Sequence, residues 1–412
     1  MSPIHLLVLI HGMWGNPGHL AELQRIAAET YSEPTEDGTK LEILVPETNR
    51  ENSTYDGVDW GGERVAKEIL EKVEALEKDG GEVKKLSVTG YSLGGLVARY
   101  VVGILSQQGF FDKVTPVNFN TIATPHIGLP RYPSFISSVF STLGPKLLSR
   151  TGEQFYCVDK WSPKGRPLLV VMADPERIFY QALTKFQHLR IYANAINDVT
   201  VPTMVEGHRH VIKEWSLPDI PPPLPVKPRV FSREWASSVK FRKPFLPPPL
   251  QFRFPFNLVV YTMLPVLIPT FISLVLVNFT LNSHKSKARI KLLENEYKTT
   301  NEQKLIHILA ELEREVEDAI VDMVDSDDPG TMTPTSSKSV AIIRPQAHPI
   351  LSTHQKKIAN WLNTLPGLKK EMVFLPDIRN SHATIVSRDV KRFESHRDGE
   401  DVIRHWAKHL II

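Results

Sequence analysis

Gly90-Tyr91-Ser92-Leu93-Gly94-Gly95 is the stretch on which the reading of this chain turns. Before it, Lys85-Leu86-Ser87-Val88-Thr89 has the make-up of a short buried strand, and after it Leu96-Val97-Ala98-Arg99-Tyr100-Val101-Val102 has that of a helix. G-x-S-x-G between a strand and a helix is the setting of a nucleophile elbow. Gly90 and Gly94 carry no Cβ, so strand and helix can close on each other around a strained turn. Such a turn lifts a serine hydroxyl above the sheet edge and sets it at a helix N-terminus, where backbone N–H groups face developing negative charge. Ser92 is therefore the candidate nucleophile, and the Leu93 N–H is one candidate oxyanion donor.

Working outward, 412 residues suffice for one large α/β domain with insertions or for two smaller domains. An apolar content of 42% supports a sizeable core, and a net charge of +3 gives no reason to expect a nucleic-acid partner. The single cysteine, Cys157, cannot form an internal disulfide, which fits an intracellular protein. Leu6-Leu7-Val8-Leu9-Ile10 lacks the basic flank and small-residue cleavage site of a secretory signal and reads as a first core strand.

That strand runs into His11-Gly12-Met13-Trp14-Gly15, where the second oxyanion donor is expected from the Met13 N–H, with Gly12 as the alternative. His11, Gly12 and Trp14 are candidate pocket residues beside it. A helix is expected from His19 to Tyr31, a strand from Leu41 to Val45 and a helix from Gly61 to Lys78, with Val65, Ile69, Val73 and Leu76 at helical spacing. Val117–Ile122 reads as a strand that delivers His126 to the carboxyl edge of a mostly parallel sheet. There His126 could line the pocket or cap its loop, and both readings stand.

Leu189–Ile196 reads as a late strand followed by Asp198, the position of the acid in the chain order Ser, Asp, His. Its rival Asp174, followed by Pro175 and Glu176, has the pattern of an N-cap. After a last strand at Glu371–Leu375, His382 sits where the general base belongs, able to take the Ser92 proton while Asp198 fixes its tautomer. His348, His354 and His396 are rivals, but His354 falls on an expected helix and no strand precedes the other two.

The middle of the chain changes character. Residues 1–217 and 346–412 read as two parts of one α/β core, with 218–253 a basic, Pro-rich linker carrying Pro221-Pro222-Pro223 and Pro247-Pro248-Pro249. Residues 254–283 contain no charged side chain, long enough to enter a bilayer. A single crossing would put Ser92 and Asp198 on one side and His382 on the other. Pro265 and Pro269 lie near the middle of the run and basic residues flank both ends. A re-entrant membrane hairpin with both ends in the cytoplasm is the expectation. Residues 284–328 read as a charged, amphipathic helix and 329–345 as a flexible linker.

With these pieces in place, the chain resembles the DUF676 serine esterase family of α/β-hydrolase lipases, and within it fungal lipid-droplet phospholipases and Rog-type lipases. The residues that carry the likeness are Val8–Gly15, Tyr55-Asp56-Gly57 with Gly62-Glu63-Arg64, Gly90–Gly95, Thr124–Gly128, Asn197–Pro202 and Ser381-His382-Ala383. The resemblance implies an α/β-hydrolase fold and a lipase or phospholipase acting on acyl esters, with Ser92, Asp198 and His382 on the catalytic motifs. It also implies a lipid droplet or the cytosolic face of the endoplasmic reticulum as the location. Phospholipid or neutral glycerolipid is then the expected substrate, a membrane or droplet surface the partner of residues 254–283, and no metal or organic cofactor is called for. A transacylase or thioesterase using the same acyl-enzyme, or an inert membrane scaffold, are the competing readings.

Overall fold

Six parallel strands run side by side, and the burial of their side chains follows from cover on both faces. The computed structural model describes residues 2–133, 135–195, 198, 256–299, 349–375, 378 and 380–412. The strands are β1 (Ser2–Ile10), β2 (Lys40–Leu44), β3 (Gly81–Tyr91), β4 (Thr115–Ile122), β5 (His188–Asn194) and β6 (Leu368–Val373), in the order β2-β1-β3-β4-β5-β6. Every pairing is parallel, so each crossover must pack on a face of the sheet. With the family match given below, this is the α/β-hydrolase architecture.

Side chains alternate between the faces of a strand, and β1 shows both layers. Ile4, Leu6, Val8 and Ile10 join one core with α2 (Val58–Lys78), α3 (Leu93–Gln107) and α7 (Ile178–Thr184). Leu7 and Leu9 are equally buried but lie outside that cluster. Two polar contacts mark the other layer. The Trp406 Nε1–H of α11 (Glu400–Lys408) donates to Thr89 Oγ1 at 3.2 Å, and Tyr31, just after α1 (Ala21–Thr30), donates from its hydroxyl to the carbonyls of Ala407 and Leu410. A run such as Leu6–Ile10 is continuously apolar because neither face meets water.

Between β4 and β5 lie α4 (Phe135–Leu147), α5 (Ser149–Phe155) and α6 (Leu168–Val171). The long α8 (Phe256–Thr299) precedes β6, with α9 (Thr353–Leu362) between them, and α10 (Ser381–Thr384) follows it. The expected hairpin is corrected here: α8 is one continuous helix of 44 residues with Pro265 and Pro269 inside it. Each proline removes one N–H and crowds one carbonyl, at a cost of about 3 kcal/mol. The two losses fall four residues apart on the same side, and the ladder of the intervening apolar residues survives. The boundary expected at 283/284 therefore falls inside one helix. The Pro-rich linker, residues 300–328 and the 329–345 linker lie outside the described residues.

By its contacts the chain forms two units, Met1–Val211 with Thr280–Ile412, and Ile212–Phe279. In the second, the described residues are the apolar first part of α8, whose side chains from Met263 to Val277 are largely exposed. In the first, the continuation of α8 buries Asn282, Ser283, Ser286 and Ile290 at helical spacing. Ser286 Oγ donates to Asp56 Oδ1 at 2.7 Å, Arg289 Nη2 reaches the same oxygen at 2.7 Å, and Ser283 Oγ donates to the Lys146 carbonyl at 3.0 Å.

One buried group is expected to make the stability of the fold depend on pH. His5 is fully buried in β1 with Nε2 2.7 Å from Ser87 Oγ, and burial, reinforced by Lys85, pushes its pKa down to about 3. Below pH 6.5 the unfolded chain binds a proton that the folded chain refuses until about pH 3. Stability should then fall with pH across that window, at up to about 1.4 kcal/mol per unit for this residue. Urea unfolding at pH 7 and pH 4.5 is expected to show a smaller loss for His5→Gln than for wild type.

Candidate active site

The pairing of Ile10 with Gly90 brings β1 and β3 to their carboxyl ends together, so the segments that follow emerge side by side. The approach is close. A Cβ on Gly94 would stand 2.1 Å from the Ile10 carbonyl oxygen, and one on Gly12 would stand 2.8 Å from the Ser92 Cβ. Only glycine fits either place. Ser92 itself has φ 55° and ψ −125°, the strained backbone of a sharp strand-to-helix turn. Its N–H donates to the Ile122 carbonyl at the end of β4 at 2.9 Å. The next N–H, that of Leu93, opens α3 and by position has no acceptor within the helix.

Across the cleft, the turn after β1 is closed by the Gly15 N–H on the Gly12 carbonyl at 3.1 Å. Met13 is half-buried there. Trp14 has φ 52°, and its Nε1–H donates to the Tyr55 hydroxyl at 2.9 Å. His11 is buried beneath the turn with Nδ1 3.1 Å from the Gly12 carbonyl, and burial lowers its pKa. It braces the loop.

Ser92, His382 and Asp198 come together from positions 290 and 184 residues apart. His382 Nε2 lies 3.0 Å from Ser92 Oγ, and His382 Nδ1 lies 3.0 Å from Asp198 Oδ2. The side chains of His382 and Asp198 are 8% and 2% exposed. An ionised carboxylate can only accept, so Nδ1 carries the proton and Nε2 is left to accept from the hydroxyl. Three further contacts hold this line in place. Asn194 Nδ2 donates to Asp198 Oδ2 at 2.7 Å, Asn380 Oδ1 accepts from the His382 N–H at 3.2 Å, and the Tyr91 hydroxyl donates to the His382 carbonyl at 2.9 Å. The Tyr91 ring also lies 5.2 Å from the imidazole. The geometry can pass a proton from hydroxyl to imidazole while the carboxylate stabilises the imidazolium.

The other sequence candidates lie elsewhere. His126 Nε2 sits 2.8 Å from Thr121 Oγ1, and its carbonyl accepts from Arg99 Nη1 at 3.2 Å. Burial, then Arg99, pushes its pKa down to about 3, so it caps its own loop as a neutral ring. A cavity of about 20 Å3 behind that loop, lined by Arg99, His126, Leu183 and Leu365 among others, has room for one water. Asp174 pairs with Arg166 Nη2 at 2.5 Å and accepts from the Glu176 N–H at 3.2 Å, a loop-capping role. His354 lies on α9, and His396 Nδ1 accepts from the Asp389 N–H at 3.0 Å. His348 falls outside the described residues. Among the described residues no three His, Cys, Asp or Glu side chains converge as metal ligands would.

The sequence assigns no positioning role to Tyr91, Asn194, Asn380 or Tyr55, although Tyr91 and Tyr55 fall within its motifs. Asn380 alone had a local signal, an Asn two places before His382, at the cap of α10. Tyr91 and Tyr55 act through partners far away in the chain, and Asn194 through Asp198, four residues on.

Comparison with known proteins places these residues among relatives. The family described as "Putative serine esterase (DUF676)" matches residues 1–208. "Putative lipase C4A8.10" of Schizosaccharomyces pombe is 32% identical over 203 residues, covering 48% of this chain and 25% of that protein. "Putative lipase ROG1" of Saccharomyces cerevisiae is 30% identical over 203 residues, covering 48% of this chain and 27% of that protein. The matched stretch thus spans about a quarter of these relatives' length. Among solved structures, an extracellular alpha/beta-hydrolase from a Paenibacillus species matches 34% of this chain and 50% of its own at 19% identity, with a TM-score of 0.22.

Removing the Tyr91 hydroxyl frees the His382 carbonyl, a loss of about 1 kcal/mol for one hydrogen bond. Labelling of Ser92 by a fluorophosphonate should therefore slow roughly fivefold in Tyr91→Phe, with the unfolding midpoint compared to separate positioning from folding.

Proposed function

Because the chain belongs to the family described as "Putative serine esterase (DUF676)", we propose that it is a serine acyl hydrolase whose triad is Ser92, His382 and Asp198. Its substrates in this reading are the acyl esters of phospholipids or neutral glycerolipids in the surface on which it sits. The observation that carries the proposal is the line of two 3.0 Å contacts from Ser92 through His382 to Asp198.

Ser92 Oγ attacks the ester carbonyl carbon while His382 Nε2 takes its proton. The oxygen that becomes negative is received by the Leu93 and Met13 N–H groups, which gain most from the charge that develops in the transition state. When the tetrahedral intermediate collapses, the ester C–O bond breaks and His382 returns the proton to the leaving alcohol or lysolipid. A water, deprotonated by His382, then attacks acyl-Ser92, the fatty acid leaves, and the serine hydroxyl is restored. Asp198 stays ionised throughout, holding the imidazole in one tautomer.

The surface is suggested by α8. Its segment from Thr262 is long and apolar enough to cross a membrane. Thr262 to Leu281 alone measures about 30 Å as helix. Asp198 and Asn282 both belong to the core, Asp198 through His382 and Asn282 where α8 buries its side chains. The catalytic side chains before and after α8 therefore lie on one face, and α8 enters lipid from that face. Basic residues on both flanks favour the cytosolic one, and a lipid-droplet or endoplasmic-reticulum surface fits that reading.

Two measurements test it. Fatty acid release from phospholipid vesicles and triacylglycerol emulsions should fall about a thousandfold or more in Ser92→Ala, with lysolipid as co-product on vesicles; equal release by the variant would end the proposal. A membrane-impermeant maleimide should label Lys285→Cys, beside the core, from the cytosolic face of sealed membranes. Labelling only after permeabilisation would contradict that orientation.

A further inference from the structure

In α4 the usual pattern of a surface helix is reversed. Val139, Phe140 and Leu143 are 37%, 62% and 39% exposed, and at i, i+1 and i+4 they make one outward apolar stripe. The serines satisfy themselves locally: Ser137 Oγ accepts from the Tyr132 N–H at 2.8 Å, and Ser141 Oγ donates to the Ser138 carbonyl at 2.9 Å. A stripe of this kind turned to solvent marks a surface that something apolar covers.

Three observations argue for lipid as that cover. First, α4 is fastened to α8 at its last turn, through Ser283 Oγ on the Lys146 carbonyl at 3.0 Å and, just beyond, Ser149 Oγ on Ser286 Oγ at 3.3 Å. Leu281, 54% exposed, ends the apolar run of α8 two residues before Ser283. Leu143 and Val139 lie only about 4.5 and 10 Å along α4 from Lys146. The apolar stripe thus begins within a turn or two of the place where α8 becomes apolar. Second, Lys146, Lys285, Lys287 and Lys291 are exposed around this junction, a cationic rim that suits anionic headgroups. Third, Trp14 presents 46% of its surface to solvent while its indole N–H is held by the Tyr55 hydroxyl. The same hydroxyl bonds the Asn282 side chain of α8. The indole, two residues past the Gly12 that closes on Ser92, is therefore tied to the same junction, and tryptophan is a residue of membrane–water boundaries.

We propose that α4 is a second lipid contact: its Val139–Phe140–Leu143 face sinks to the headgroup–acyl boundary, near the junction at Asn282–Ser286, and Trp14 meets the same boundary. The inference rests on the reading of α8 as a lipid-inserted helix, and not on the reaction at Ser92.

The test uses the full chain in its Ser92→Ala form, reconstituted into vesicles of phosphatidylcholine with a minority of phosphatidylserine. An environment-sensitive dye is attached at Phe140→Cys, Leu143→Cys or, as control, Lys78→Cys at the far end of α2. Cys157 is buried and is left unlabelled. The dyes at 140 and 143 should brighten, be quenched by nitroxide-labelled phospholipid and be shielded from iodide, while the dye at 78 behaves in the opposite way. Iodide quenching at 140 and 143 equal to that at 78 would overturn the proposal. So would shielding without nitroxide quenching that grows with the protein-to-lipid ratio, which would assign the stripe to a second copy of the chain. In the active protein, Phe140→Ser with Leu143→Ser should lower turnover of vesicle lipid about tenfold or more and leave turnover of a soluble short-chain ester within about twofold. If the wild type hydrolyses neither substrate, the functional proposal fails, while the dye measurement still decides the role of α4.

Discussion

The carbonyl oxygens of Ile10 and His11 stand 2.1 and 2.6 Å from the point where a side chain at residue 94 would begin. That contact, between the end of β1 and the first turn of α3, governs the rest of the site. It sets the depth at which α3 starts, and so the height of Ser92 above the sheet. It also sets how near the Gly12–Met13 turn comes to the hydroxyl. Because β1 and β3 are neighbours that end in register, the nucleophile and the facing turn need no long loops to meet. Any β-carbon at 94 would have to push two backbone carbonyls aside, and backbone in a packed sheet yields far less readily than a side chain.

A second constraint lies in charge. Asp56 and Asp59 are both buried and both are fully engaged. Asp56 takes Arg64 at 3.1 Å, Ser286 at 2.7 Å and Arg289 at 2.7 Å, whereas Asp59 takes Arg150, Gln154 Nε2 at 3.0 Å and Trp161 Nε1 at 3.1 Å. Removing one partner from such a cluster strands a buried charge, at a cost of several kcal/mol. The Tyr55-Asp56-Gly57 and Gly62-Glu63-Arg64 motifs are therefore braces. They clamp α8 and α5 to the start of α2, just behind the turn that carries Trp14.

The sheet was legible because a strand covered on both faces can announce itself as an unbroken apolar run, as Leu6–Ile10 does. The positions of Ser92, Asp198 and His382 were legible for a related reason: each follows a strand at the edge where side chains from separate crossovers converge. His126 also follows a strand, yet Thr121 five residues earlier captures its ring. Nothing in a one-dimensional pattern distinguishes that short hydrogen bond from an open pocket. Tyr91 and Asn194 escaped notice because their partners are distant in the chain or defined only by the turn they stabilise. The continuous course of α8 was hidden by Pro265 and Pro269, whose local meaning is a break. Whether a proline breaks or merely loads a helix depends on what surrounds it, and that is a property of the medium as much as of the sequence.

The insertion of α8 between the acid and the base also imposes an order on synthesis. A ribosome makes Ser92 and Asp198 first, then the apolar helix, and His382 only after that. The elbow can fold while the imidazole does not yet exist. Until then the nascent chain holds Ser92 without His382, and the long apolar helix has already emerged. The line from Ser92 through His382 to Asp198 can therefore close only after the whole of α8 has been made.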